Sequence, residues 1–160
     1  MISGQNAKFI ESSLQAYKKG ERKHPTMRSV AESLSDKDMA DLAAFYEQHG
    51  KGGAAPADAA PSAPADVAAL LTKGACASCH GPNFNKPIDG TYPKLAGQHA
   101  DYLYVALKSY QAKGGHKVGR GNAIMAGQVA QFKLSELKAM AAYLATLPGE
   151  LKTVPQSRFR

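Results

Sequence analysis

The sequence predicts an all-α protein, made of one complete helical domain and a partial copy of it. Two observations lead to this prediction. Apolar residues recur every three or four positions in several long segments, which is the spacing of amphipathic helices. The pattern on the N-terminal side of an Ala/Pro/Gly-rich stretch also returns on its C-terminal side. With 160 residues, 44% of them hydrophobic, the chain can bury the core of one domain or of two small ones.

The first predicted helix spans residues 6–19 and is expected to end at Gly20. Its apolar face consists of Phe9, Ile10, Leu14 and Tyr17. A basic loop over residues 21–26 follows, and then a short turn that contains Met27 and Val30.

The second predicted helix begins after Ser35, which is expected to form a capping box with Asp38. It runs to about Gln48, and Gly50 is expected to end it. Five residues form its apolar face: Met39, Leu42, Ala43, Phe45 and Tyr46.

Residues 51–65 are mostly Ala, Pro and Gly and have almost nothing to bury, which predicts an interdomain linker. The linker divides the chain into a partial repeat at residues 1–50 and a complete domain at residues 66–150. Residues 151–160 form a tail with little pattern.

The complete domain opens with a helix that we expect Asp66 to cap and that leads into Cys76. Its buried stripe consists of Val67, Leu70 and Leu71. A Gly-, Pro- and Asn-rich loop is predicted at residues 81–93 and a helix at residues 97–113, ended by Gly114 and Gly115. After a basic glycine-rich loop, a last helix is predicted over residues 134–147, with these residues packed inward: Leu137, Met140, Ala141 and Leu144.

Cys76, Ala77, Ser78, Cys79 and His80 form a Cys-x-x-Cys-His motif. The two thiols can add to the vinyl groups of a haem, and on a helical turn a spacing of three puts both sulfurs on one side. His80 is then held beside the macrocycle, where its imidazole can bind the iron. Zinc is disfavoured because no other cysteine completes a four-ligand site, a thioredoxin-like dithiol lacks its βαβ context, and a disulfide would close a very tight ring. The motif therefore predicts one covalent c-type haem.

A single histidine leaves a second axial position on the iron. Met125 lies in a predicted loop, residues 121–127, where the chain can approach a flat ligand, and it is the favoured candidate. Met140 lies in the middle of the apolar stripe of the last helix and is favoured as a core residue. His99 and His116 are the bis-histidine alternatives. We expect the first to be a capping or surface residue and the second to be solvated in its glycine-rich loop.

The two copies of the internal repeat align residue by residue. Residues 2–5 match residues 95–98, and the same offset of 93 places Phe9, Leu14 and Tyr17 on Tyr102, Leu107 and Tyr110. Beyond the basic loop the offset becomes 98, and four pairs follow it: Met27 with Met125, Leu34 with Phe132, Leu42 with Met140 and Phe45 with Tyr143.

The first copy has no Cys-x-x-Cys-His segment to complete its core. It must therefore pack against the other half, pair with another chain or stay partly disordered, and the sequence does not choose among these. Met27 occupies the position of Met125, but without a haem in its own half it is favoured as an ordinary apolar contact.

These residues resemble the class I bacterial cytochromes c, and most closely the tandem dihaem cytochromes of the c-four type and their monohaem relatives. Four features carry the resemblance: the haem motif, residues 92–98, residues 122–127 and the Leu-rich last helix. It covers a whole domain at about residues 67–147 and half a domain at residues 2–48, where the first haem motif is absent.

The resemblance implies an all-α cytochrome c fold that binds one haem c and its iron. Cys76 and Cys79 would carry the haem, His80 would be the proximal ligand and Met125 the distal one. The loop around Tyr92 and Pro93 would pack against the haem near the histidine.

A formal net charge of +7 favours acidic partners, whereas nucleic acid is disfavoured because the lysines are scattered. No run of about 18 apolar residues predicts a membrane span, and no signal peptide is visible. Because haem is attached to such motifs outside the bacterial cytoplasm, we expect a periplasmic protein whose export signal lies outside this sequence, residue 1 not being its natural start.

The leading functional hypothesis is a periplasmic carrier of single electrons that docks on an oxidase or a dehydrogenase. No catalytic triad or carboxylate pair is recognisable. A second hypothesis is a peroxidase or small-ligand reductase with an open iron, which requires that Met125 does not bind. A third is the cytochrome subunit of a larger respiratory complex, with the half-repeat as an assembly or homo-oligomer surface.

Overall fold

The computed structural model describes residues 1–49, 61–111 and 119–153. In these ranges the elements follow in the order α1 (Ala7–Lys19), β1 (Arg22–Lys23), α2 (Pro25–Glu32), α3 (Asp36–Gln48), α4 (Ala65–Lys73), α5 (Cys76–His80), α6 (Ala100–Tyr110), β2 (Gly119–Arg120), α7 (Ala123–Val129) and α8 (Leu134–Thr146). The all-α prediction is confirmed, since each strand has only two residues. Several predicted features lie outside the described residues: Gly50, most of the linker, Gly114, Gly115, His116 and residues 154–160.

The helix boundaries of the first half follow local signals in the sequence, with one correction. α1 ends at Gly20, whose φ of 76° is left-handed, and Ser35 and Asp38 form the predicted capping box of α3. The predicted short turn around Met27 is instead the helix α2. Pro25 fits its first position because proline lacks an N–H there, and the His24 side chain accepts a hydrogen bond from the Met27 N–H.

The second half needs two corrections at helix ends. α4 begins at Ala65 behind Pro64, so Asp66 lies in the first turn, where its charge favours the helix dipole, and does not cap the helix. α6 is shorter than the predicted span of residues 97–113. Gly97 adopts a left-handed φ of 73°, which is incompatible with a right-handed helix.

The two halves repeat the same elements. α1 corresponds to α6 at an offset of 93, and α2 and α3 correspond to α7 and α8 at an offset of 98. Only the second half has α4 and α5 in the described residues. α8 packs against both α4 and α6, whereas α1 packs against α2 and α3.

The absence of a described counterpart of α4 changes the surface of the first half. In α8 the four predicted core residues are all buried: Leu137, Met140, Ala141 and Leu144. In α3 Met39 and Ala43 are buried, but Leu42 is 36% and Phe45 56% exposed, which corrects the predicted apolar face. The counterpart of Leu42 is Met140, which is only 3% exposed because α4 packs on its helix.

The half-repeat packs against the rest of the chain, which is one of the three states that the sequence left open. β1 and β2 pair in antiparallel register, with Arg22 opposite Arg120. The Lys152 N–H donates to the Ser3 carbonyl at 3.1 Å, so the start of the predicted tail also contacts the first half. Among the described helices, none is long and apolar enough to span a membrane.

Candidate functional site

The short helix α5 carries the Cys-x-x-Cys-His motif. It follows directly on a sharp bend, where Ala75 has a left-handed φ of 46°. Gly74 gives space at this bend, since a Cβ there would lie 3.0 Å from the Cys76 Sγ and 3.2 Å from the Phe132 ring. Cys76 and Cys79 are both half-buried free thiols at the wall of one cavity. Burial raises the pKa of the Cys76 thiol, and the neighbouring Cys79 adds to this effect.

His80 is held with one ring nitrogen bonded and the other free. The residue is only 5% exposed, and its Nδ1 lies 2.9 Å from the Pro93 carbonyl oxygen. Burial lowers its pKa despite that hydrogen bond, which favours the neutral imidazole. The Nδ1–H therefore donates to Pro93, and Nε2 carries the lone pair. Nε2 is buried and has no hydrogen-bond partner among the described residues, which is the arrangement of a metal-ligating histidine.

The loop after α5 brings Pro93 to the histidine. Gly81 begins it with a left-handed φ of 80°, and a Cβ there would lie 2.1 Å from the Lys86 carbonyl oxygen. The Ile88 N–H donates to the Cys79 carbonyl at 3.1 Å, which closes the loop onto α5. Tyr92 makes an edge contact with His80, with ring centroids 6.2 Å apart, and lines the same cavity.

Met125 also lines this cavity, but its local structure differs from the prediction. It belongs to the first turn of α7 and not to a loop, because Asn122 caps this helix by accepting a hydrogen bond from the Met125 N–H at 2.9 Å. Met140 reaches the same cavity and is a core residue at 3% exposure. His99 is the N-cap residue of α6 and is not among the described residues that line the cavity, while His116 is not described.

The cavity is apolar and has about 970 Å³ of empty space, part of it open to solvent. Most of its wall comes from the second half of the chain, through these residues among others: Leu71, Leu95, Leu107, Tyr110, Ile124, Val129, Phe132 and Leu144. Phe9 of α1 also contributes, so the first half reaches this site. Two thiols, an unpartnered imidazole nitrogen and a thioether around an apolar space fit a covalently bound haem. Among the described residues, no cluster of three His, Cys, Asp or Glu side chains offers another metal site.

The cytochrome c family model matches residues 64–148. The chain belongs to the cytochrome c family. Cytochrome c4 of Thiocapsa roseopersicina is 29% identical over 154 residues, which are 91% of this chain and 77% of that protein. A thiosulfate dehydrogenase electron acceptor of Stutzerimonas stutzeri is 28% identical over 159 residues, covering 95% of this chain and 72% of that protein. The solved structure of Acidithiobacillus ferrooxidans cytochrome c4 superposes with a TM-score of 0.71 at 25% identity, covering 91% of this chain and 87% of that one.

Haem c with its iron is therefore the cofactor of this cytochrome, and electron transfer is its function. The similarity to cytochrome c4 extends over most of the chain, although the chain covers only part of the tandem arrangement. Its two cysteines provide for one haem.

A second apolar cavity, with about 1420 Å³ of partly open empty space, is lined mostly by the first half of the cytochrome. The second half contributes the rest of its wall: Pro93, Lys94, Gln98, Tyr102, Leu103 and Arg120. Its wall is the repeat-related counterpart of the first: Leu14, Tyr17, Met27, Leu34 and Leu42 replace Leu107, Tyr110, Met125, Phe132 and Met140. It has no cysteine, because both cysteines lie in α5. Met27 is half-buried at this wall, which agrees with its interpretation as an apolar contact.

Sequence reasoning missed a polar cluster between the halves. The side chains of Arg22 and Arg120 both donate to the Tyr102 hydroxyl oxygen. The repeat contained the signal, since the offset of 98 places Arg22 on Arg120.

Proposed function

We propose that this cytochrome carries single electrons through a haem attached to Cys76 and Cys79 and bound at its iron by His80 and Met125. The observation that supports this most strongly is the buried Nε2 of His80, which has no partner in the described chain and shares its cavity with Met125. Tyr92 and Pro93 belong to the same site, beside the histidine.

The residues of the chain position the haem, exclude water from it and adjust its reduction potential. The bound haem supplies the one-electron couple of its iron. The Pro93 carbonyl accepts the Nδ1–H of His80, which fixes the ring and its tautomer so that Nε2 is available to the iron. The cap from Asn122 fixes the backbone of Met125. A methionine thioether that binds the iron raises the reduction potential of a haem. The apolar wall excludes water and favours the less charged, reduced state.

We propose an electron carrier and not an enzyme, because His80 and Met125 together would hold the iron and leave it no open position for a substrate. The alternative, a peroxidase or small-ligand reductase, needs an open position. Carbon monoxide separates the two, since it binds ferrous haem only where a position is free. The spectrum of the reduced protein should not change when carbon monoxide is added. An immediate spectral shift would instead support the enzyme.

We infer a periplasmic location, where a dehydrogenase or an oxidase with an acidic docking surface is the redox partner. The formal charge of +7 supports an acidic partner. The similarity to proteins named as electron acceptors of thiosulfate dehydrogenase supports a dehydrogenase as donor.

A role inside a larger respiratory complex is the second candidate, and one observation favours it. The first half exposes several apolar side chains: Ile2, Val30 and Leu42 at its open cavity, and Phe45 beside Leu42. Exposed patches of this kind mark assembly surfaces. Sedimentation of the purified chain tests the surface for self-association, because a homo-oligomer that uses it should dissociate in Phe45→Glu.

A further inference from the structure

Arg22 and Arg120 lie side by side at the junction of the two halves. The pairing of β1 with β2 places them opposite each other. The Nη2 atom of each guanidinium lies 3.1 Å from the Tyr102 hydroxyl oxygen, which accepts from both. Each guanidinium also lies over an aromatic ring, Arg22 over Tyr17 at 4.9 Å and Arg120 over Tyr110 at 5.5 Å. The two positive charges are thus held close together by neutral groups.

Within the described ranges, no carboxylate forms an ion pair with either guanidinium. Arg22 donates to Ser13 at 2.7 Å, but its Nε is buried and has no partner there. Burial would raise the pKa of Tyr102, yet the charges of Arg120 and Arg22 lower it. Both arginines are half-buried, and two neighbouring cations with one unpartnered buried donor are costly to withdraw from water unless an anion joins them.

The two arginines line a polar cavity that adjoins the haem cavity, and both also line the second apolar cavity. The polar cavity has about 670 Å³ of empty space, partly open. Four residues belong to the walls of both cavities: Phe9, Thr91, Tyr110 and Asn122. Glu21 also borders the polar cavity, and its backbone carbonyl accepts from the Gly121 N–H at 2.7 Å. Neither arginine lines the haem cavity itself, so a group with an apolar body there would reach Arg22 and Arg120 by extending a polar edge past these shared residues.

We propose that Arg22 and Arg120 bind the two carboxylates of the haem, so that the half-repeat supplies part of the site for the haem of the other half. This inference rests on the proposed attachment of the haem at Cys76 and Cys79. A guanidinium suits the task because its planar donors match a carboxylate. Its charge also stabilises the reduced haem, so the half without a haem motif raises the reduction potential of the other.

The reduction potential of Arg22→Gln tests the proposal, with Arg28→Gln as the matched control. Arg28 carries the same charge, but it is exposed and paired with Glu32. We expect Arg22→Gln to lower the midpoint potential and to make it fall with rising pH, because the carboxylate loses its cation and its pKa rises. Arg28→Gln should change neither property. Equal shifts in both variants, or no shift in Arg22→Gln, would overturn the proposal.

Two further variants keep the test decisive. If Arg22→Gln does not fold, Arg120→Gln removes the other cation and should give the same lower, pH-dependent potential. Arg22→Lys keeps the charge and loses the planar donors, so its potential should lie between those of the native protein and Arg22→Gln. A potential of Arg22→Lys as low as that of Arg22→Gln would contradict a charge-based role.

A free anion in the cluster is the competing outcome. Inorganic phosphate distinguishes it at constant ionic strength. If haem carboxylates bind the arginines, the potential of the native protein should not depend on phosphate. A phosphate-dependent potential that Arg22→Gln abolishes would mean a site for free anions and would overturn the proposal. The methionine–iron absorption band should persist in Arg22→Gln, which separates this test from any failure of the ligand assignment.

Discussion

The side-chain amide of Gln5 binds both backbone groups of Lys94. Its Oε1 accepts from the Lys94 N–H at 2.8 Å, and its Nε2 donates to the Lys94 carbonyl at 3.1 Å. At the repeat offset of 93, Gln5 corresponds to Gln98 and Lys94 corresponds to Met1. The Gln98 Nε2 donates to the Met1 carbonyl at 2.8 Å, and its Oε1 accepts from the Met1 nitrogen at 2.7 Å. The same pair of hydrogen bonds therefore occurs twice between the two halves, as at the interface of a symmetric dimer.

Replacement of Gln5 by Ala should destabilise the junction of the halves. Gln5 is 4% exposed, so its removal leaves the Lys94 backbone groups without their partner. We expect a loss of about 1–3 kcal/mol in the free energy of unfolding. Urea unfolding followed by circular dichroism measures it. Gln131→Ala is the control, because Gln131 is exposed and its side chain makes a local hydrogen bond to the Gln128 carbonyl, three residues earlier. Equal stability of the two variants would contradict the role of this contact.

Replacement of Gly81 by Ala should damage the loop behind His80. A Cβ at this position would clash with the Lys86 carbonyl, and the backbone conformation alone, φ 80° with ψ 159°, costs a side chain about 1–3 kcal/mol. Gly127→Ala is the opposite case, since Gly127 lies inside α7 with no described atom within 4 Å of its Cβ position. That variant should be neutral or gain up to about 1 kcal/mol. Thermal unfolding compares the two, and a stable Gly81→Ala would contradict the loop geometry.

The ion pair of Lys94 and Glu150 predicts part of the loss in the free energy of unfolding at acid pH. The hydrogen bond from Lys94 lowers the pKa of Glu150 below its ordinary 4.5. The stabilisation is therefore complete above pH 4.5 and is lost as the pH falls through the lower folded-state value. Because Glu150 is 40% exposed, we expect no more than about 1 kcal/mol.

Glu150→Gln measures this component by urea unfolding across the acid range. The difference from the native protein should shrink as the pH falls. Glu32→Gln, which removes the exposed partner of Arg28, is the control and should show almost no difference at any pH. A constant difference for Glu150→Gln would mean that its charge does not act through Lys94.

The charge of +7 predicts salt-sensitive association with an acidic redox partner. The second-order rate of electron transfer should fall as ionic strength rises, because salt screens charges beyond about 10 Å at 0.1 M. Stopped-flow mixing with a negatively charged redox protein measures the rate. Reduction by a small neutral hydroquinone is the control and should not depend on salt. A partner rate that is also indifferent to salt would contradict the proposed docking surface.

How far the sequence predicted the structure depended on the distance over which each signal acts. α1, α3 and α8 begin and end within about a residue of the prediction, because Gly20 and the capping box at Ser35 are local signals. The sequence does not predict α2, because a proline such as Pro25 is as typical of a loop as of the first position of a helix. The pairing of β1 with β2 joins residues nearly a hundred positions apart, which a local pattern does not reveal.

The same distinction applies to the site. Cys76, Cys79 and His80 are predicted from their spacing in the sequence. Met125 is predicted from its expected place in a loop at residues 121–127, whereas the structure places it in α7 at the cavity wall. The structure adds what depends on tertiary contacts: the bond from His80 to Pro93, the free Nε2 and the wall contribution of Phe9. The cluster of Arg22, Arg120 and Tyr102 is also of this kind.

The ferric absorption spectrum of Met125→Ala, compared with that of Met140→Leu, tests the central proposal most directly. A bond between a methionine and ferric haem gives a weak far-red band. We expect the native protein and Met140→Leu to show this band, since Met140 is a core residue of similar volume. Met125→Ala should lose the band and bind carbon monoxide when reduced. A band that persists in Met125→Ala, or disappears in Met140→Leu, would contradict Met125 as the ligand of the iron.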